Sequence, residues 1–75
     1  MNIDINDIIT LNNNFDYVVI NKLKYQDKIY YYLMNINDNT NILFCYEKKD
    51  SLIEVNDKYL ITTLMTLFIH EFLHI

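Results

Sequence analysis

Residues 70–74 of the chain are His70-Glu71-Phe72-Leu73-His74, the H-E-x-x-H pattern of zinc peptidases. On a helix these two histidines stand one turn apart on one face. Both imidazoles can then approach a single zinc ion, with the glutamate beside the metal-bound water as general base. In such an enzyme Glu71 is the catalytic residue, and His70 and His74 are metal ligands. A catalytic zinc, however, takes three protein ligands and leaves a position open for water. The chain has only two histidines, and neither Cys45 nor any upstream acid stands at a recognisable ligand spacing. Histidines in a last helical turn also have a simpler use, because positive charge is favourable at a helix C-terminus. The expectation is therefore a helix end on a protein without catalytic activity, cofactor or resident metal. The alternative is a zinc-dependent hydrolase built on His70, Glu71 and His74.

Other chemistry is sparse. Cys45 is the only cysteine, so no disulfide can form within the chain. Between Phe44 and Tyr46 it reads as a small hydrophobe on a strand, and a lone thiol fits a reducing, cytoplasmic setting. The chain contains no glycine, which rules out a phosphate-cradling loop of the usual kind. Asn37, Asp38, Asn39 and Asn41 resemble a calcium loop in composition but lack its glycine and closing glutamate, so a hairpin turn is expected there.

Ten acids against six lysines give a formal net charge of −4, and arginine is absent. Without a basic face or the bidentate guanidinium fork, direct DNA or RNA binding is not expected. The acidity is lopsided: Asp4, Asp7 and Asp16 stand in a stretch with no lysine, an edge suited to a basic partner. Asn, Ile, Tyr and Lys contribute 11, 12, 7 and 6 residues. All four have A/T-rich codons, so asparagine abundance carries little functional meaning. The opening MNIDINDIIT has acids where a signal peptide needs positive charge. The apolar run YLITTLMTLFI, 11 residues with three threonines, is too short to span a membrane and reads as a buried helix.

The elements that must position these residues follow from the punctuation. With no glycine and no proline, turns fall to polar clusters at 12–14, 26–28, 37–39 and 48–51, rich in residues that tolerate left-handed backbone. Between them lie strand-length runs rich in β-branched and aromatic residues: Ile5–Leu11, Tyr17–Tyr25, Ile29–Asn35, Asn41–Glu47 and Leu52–Val55. Short turns favour hairpins, hence an antiparallel meander. The run Ile29-Tyr30-Tyr31-Tyr32-Leu33-Met34 is apolar or aromatic on both alternating faces, as in a strand covered on both sides. After Val55 the period changes. Asn56 or Asp57 can cap a helix, and Leu60, Ile61, Leu64, Met65, Phe68, Phe72 and Ile75 follow at helical spacing. Leu67, Ile69 and Leu73 widen the stripe beyond what one small sheet needs, which points to a second surface to cover, most simply in a homodimer.

The segments "DIITL", "YVVI", "YQDKIYYYL", "ILFCYE", "LIEV" and "DKYL", in this order over residues 7–68, resemble the small YrzB-type proteins, which are acidic, of unknown function, and come from low-GC Gram-positive bacteria and their phages. The resemblance implies a β-meander packed by a C-terminal helix and carries no ligand residues. The HEFLHI tail lies beyond it.

The sequence thus predicts one α+β domain over 1–75: a five-stranded bent antiparallel β-meander, an open barrel-like sheet, packed by one C-terminal helix over 58–74. The expected function is protein binding as a homodimer or with an unidentified protein, with no membrane or nucleic-acid partner. Met65, Ile69, Phe72, Leu73, Tyr30 and Tyr32 are the expected interface, and Asp4, Asp7 and Asp16 the partner-facing acidic edge. By analogy with small acidic phage proteins, this function extends to an inhibitor of a host defence nuclease, anti-CRISPR in kind.

Overall fold

Where glycine is absent, any turn that needs left-handed backbone must place a residue with a Cβ there, at about 1–2 kcal/mol each. The computed structural model, which describes residues 2–73, has five such residues: Asn6, Asn14, Gln26, Asp27 and Lys49, with φ between 49° and 75°. Gln26 and Asp27 are consecutive. Two positive φ values in a two-residue loop match the right-handed twist of the flanking strands, and so close a tight hairpin.

The turns separate β1 (Ile8–Thr10), β2 (Asp16–Tyr25), β3 (Lys28–Asn35), β4 (Asp38–Lys48) and β5 (Ser51–Glu54), and α1 (Lys58–Leu73) follows. Each strand pairs antiparallel with the next, in the order β1-β2-β3-β4-β5. The sheet is the expected meander, curled into a half-barrel with the helix packed on it. Two boundaries differ from expectation. The β3–β4 turn lies at Ile36-Asn37, because the buried Asn35 side chain accepts the Asn37 N–H at 2.8 Å and closes the turn early. β1 is shorter than its apolar run, because Asn6 turns the chain and the Asp7 carboxylate accepts the Asp4 N–H at 2.8 Å.

The curl has a local cause. The β2–β3 register shifts between Val19 and Asn21, leaving Ile20 as an extra residue, and such a bulge bends and twists its strand. It also resets the alternation. Tyr17 and Val19 face inward before it, and Lys22, opposite Tyr31, does so after it.

β3 has both faces covered, as its composition requires. Tyr31 and Leu33 join Tyr17, Val19 and Cys45 in a cluster on the inner face. Tyr30 packs on the outer face with Phe44, Val55, Leu64 and Phe68, and Tyr32 lies against that cluster. The helix is fastened at its start by Asp57, whose carboxylate accepts the N–H of Tyr59 at 2.9 Å and of Leu60 at 3.3 Å. Leu64 and Phe68, one turn apart, are its fully covered residues.

Two substitutions separate packing from capping. Phe68→Ala should cost about 3–5 kcal/mol through loss of a buried ring, and Asp57→Ala about 1 kcal/mol through loss of the cap. Urea unfolding followed by circular dichroism measures both. An unchanged midpoint for Phe68→Ala would contradict the assigned packing.

Candidate functional site

The helix end holds His70 and Glu71 on exposed turns, and His70 is the basic residue of the last turn. His74 and Ile75 lie outside the described residues. Among the described residues, no three of His, Cys, Asp and Glu stand together in a way that could hold a metal ion. Nor, among the described residues, is any helix long and apolar enough to cross a membrane.

The expected interface residues separate into two groups. Met65, Ile69, Phe72 and Leu73 are exposed, from 44% for Met65 to 77% for Leu73. Tyr30 is different: it is buried under the chain's own helix, beside Leu64 and Phe68, and has no surface left for a partner. Burial raises its phenol pKa, with smaller contributions from Tyr46 and Tyr25. Tyr32 is half-buried and engaged mainly within the domain, its ring 5.3 Å from Phe44 and 5.7 Å, edge-on, from Phe68. Tyr30 and Tyr32 therefore serve the helix of their own chain.

The sheet adds residues that sequence spacing did not single out. Ile8 pairs with Val18, Val18 with Met34, and Met34 with Ile42. Directly paired residues share a face, so the four form an apolar row across four strands. Ile42 ends the row in a small groove that it lines with Tyr32, Phe44, Met65 and Ile69. The row and the exposed flank of α1 are thus one continuous apolar surface. Only the strand register reveals it, since the four residues come from four separate runs.

The acidic edge is locally tied. Asp4 pairs with Lys22 Nζ at 3.1 Å, and the same ammonium donates to the Ile3 carbonyl at 2.9 Å. Asp7 accepts from the Asp4 backbone, and Asp16 accepts from the Thr10 hydroxyl at 2.6 Å. All three line the β1 side of the sheet. Asp4 and Asp7 are exposed and Asp16 is half-buried.

On the inner face Cys45 is buried. Burial, and secondarily the nearby Glu54 carboxylate, push its thiol up to about 11. The Tyr31 hydroxyl donates to Glu47 Oε1, and its pKa is also raised, by burial first and then by this bond. A thiol held neutral is a poor nucleophile, so Cys45 acts as a packing residue. Compared with known proteins, the chain matches no family model, no curated protein and no solved structure.

The direction of the Cys45 shift sets an alkaline signature. Folding favours the neutral thiol, so this contribution is complete below the ordinary value of 9.0 and is lost as pH rises to about 11. Tyr31 adds its own loss above its ordinary value of 10.0. Between these onsets Cys45 acts before Tyr31, so Cys45→Ala should flatten the fall in unfolding free energy there. Urea titrations across that window measure it, and an unchanged slope would count against the assignment.

Proposed function

We propose that the protein is a non-catalytic protein-binding module that pairs with a second copy of itself through the outer flank of α1. The observation that carries this reading is the continuous apolar surface running from Ile8 through Ile42 to Met65 and Ile69. A fully buried Ile, Leu, Met or Phe side chain contributes about 1.5–3 kcal/mol. In a two-fold interface each residue counts twice, which lets a short helix flank offset an association cost of about 4–15 kcal/mol. Phe72 extends the surface toward the helix end, where its ring meets Tyr32 edge-on at 6.4 Å.

The acidic edge supports a narrower form of the same reading, in which the dimer engages a basic partner such as the nucleic-acid channel of a defence nuclease. Asp4 and Asp7 expose carboxylate to solvent, and the chain is net acidic. Opposite charge of this kind speeds encounter and weakens with salt.

Native mass spectrometry of the untagged chain tests the proposal by reporting subunit count and bound metal together. The expected result is a metal-free dimer, converted to a folded monomer by Ile69→Lys or Leu73→Lys and unaffected by His70→Ala or His74→Ala. A monomer at every concentration would sink the reading. One tightly held zinc per chain, lost with His70→Ala, would favour the hydrolase, and Glu71→Gln would then abolish turnover. For the narrower form, replacing Asp4, Asp7 and Asp16 with asparagine should weaken binding to a basic partner about tenfold at low salt, since rim charges act on association.

A further inference from the structure

The face of the sheet opposite α1 is not closed. A cavity of about 650 Å³ lies there, and both edges of the half-barrel line it: Thr10 and Leu11 at the β1 side, Leu52 and Glu54 from β5. Its floor is apolar, with Ile9, Leu11 and Leu52 packed around the Cys45 cluster.

The backbone directions at these edges are set by the pairing. The Leu11 N–H and the Asp7 carbonyl bond toward β2, so alternation turns the backbone groups of Ile8 and Thr10 to the open side. The Val55 N–H bonds to Phe44 on β4, so those of Leu52 and Glu54 likewise point away from the sheet. Two rows of backbone donors and acceptors thus flank one apolar trough. Open edges of this kind are templates for an added strand, and closure into a barrel removes both at once.

We propose that this seam binds an extended, basic and apolar peptide segment of a partner protein as a sixth strand. Size fits: a strand residue in packed sheets occupies about 160 Å³, from its rise and the spacings between strands and sheets. The cavity of about 650 Å³ then takes about four residues, close to the three of β1 and the four of β5. Charge sets the chemistry of the occupant. Asp50 and Glu54 line the seam, and among its described lining residues there is no lysine. Leu52 and Glu54, two residues apart on β5, share the inner face with Cys45. The preferred segment therefore carries apolar side chains and a lysine or arginine together at alternate, floor-facing positions, with the cation beside the carboxylate at the rim. This site is separate from the outer flank of α1, and its occupancy does not depend on whether that flank dimerises.

The test is a titration of the intact, isotope-labelled chain with a capped Thr-Val-Thr-Lys-Thr-Val-Thr-Lys peptide, whose valine and lysine side chains share one face, followed by amide NMR shifts and hydrogen exchange. Three control titrations use the same peptide with glutamate for lysine, the same peptide N-methylated at alternate residues, and an alkylamine. The expected result is shifts and slowed exchange at Thr10, Leu52 and Glu54, with the glutamate peptide about tenfold weaker and no slowed exchange with the N-methylated peptide or the amine. The double variant Asp50→Lys with Glu54→Lys should reverse the preference between lysine and glutamate peptides. Shifts confined to Met65 and Ile69 would overturn the proposal by placing the peptide on the outer face. Equal binding of the N-methylated peptide or of the amine would overturn it by making the seam a pocket for apolar amines, and absence of shifts would overturn it outright. Loss of the dimer through Ile69→Lys, with peptide binding intact, would separate failure of the dimer reading from failure of this one.

Discussion

The rest of the structure depends on one contact, the meeting of Tyr32, Phe44 and Phe68. The Phe44 and Phe68 rings stack at 5.6 Å, and Tyr32 stands edge-on to Phe68 at 5.7 Å. Aromatic side chains bury large areas and gain extra energy in offset and edge-on arrangements. Here they join the only helix among the described residues to the two central strands. A meander of five strands has one face too many for its size. Unless α1 covers the outer side of β3 and β4, their aromatic residues remain in water. The same contact fixes which flank of α1 is left over, because placing Phe68 and Leu64 inward rotates Met65 and Ile69 outward.

The inner face is covered by a different means, and only in part. Among the described residues no second helix or sheet covers it, so the sheet covers itself by curling. The bulge at Ile20 supplies bend, and side-chain hydrogen bonds complete the polar ends of the inner tyrosines. The Tyr17 hydroxyl receives Asn13 Nδ2 at 3.1 Å and Asn41 Nδ2 at 3.4 Å, and the Tyr31 hydroxyl bonds to Glu47. Tyrosine suits this position because its ring belongs to the core and its hydroxyl reaches the rim. Five strands curl without meeting, and the gap between β1 and β5 is the geometric consequence.

The two open surfaces differ in kind. The outer flank of α1 offers side chains alone, apolar and continuous with a row across the sheet, which suits a self-complementary contact. The seam offers backbone as well as side chains and is acidic at its rim, which suits an extended basic segment. One small chain therefore carries two chemically distinct faces on opposite sides of a single sheet.

Much of this architecture was legible in the residues. Polar clusters at 26–28 and 48–51 marked true hairpins, because a tight turn leaves backbone groups to water and takes left-handed residues, Gln26 and Asp27 in one and Lys49 in the other. The change from strand period to helical spacing after Val55 located α1, and Asn56 or Asp57 marked its cap, which the hydrogen bonds assign to Asp57. The two-sided apolar pattern of Tyr30 to Leu33 required a covered strand. What covers it was not legible: a partner subunit and the chain's own helix demand the same side chains, and only packing shows that Tyr30 is spent on the helix. The Ile36-Asn37 turn was likewise misplaced, because the Asn35 side chain that closes it is identified by burial rather than by type. The row from Ile8 to Ile42 and the seam between β1 and β5 belong to the tertiary structure alone. Sequence determined the local conformations and which side chains avoid water, through backbone sterics and period. The curl of the sheet decided which of them meet, because register and closure join residues that are distant along the chain.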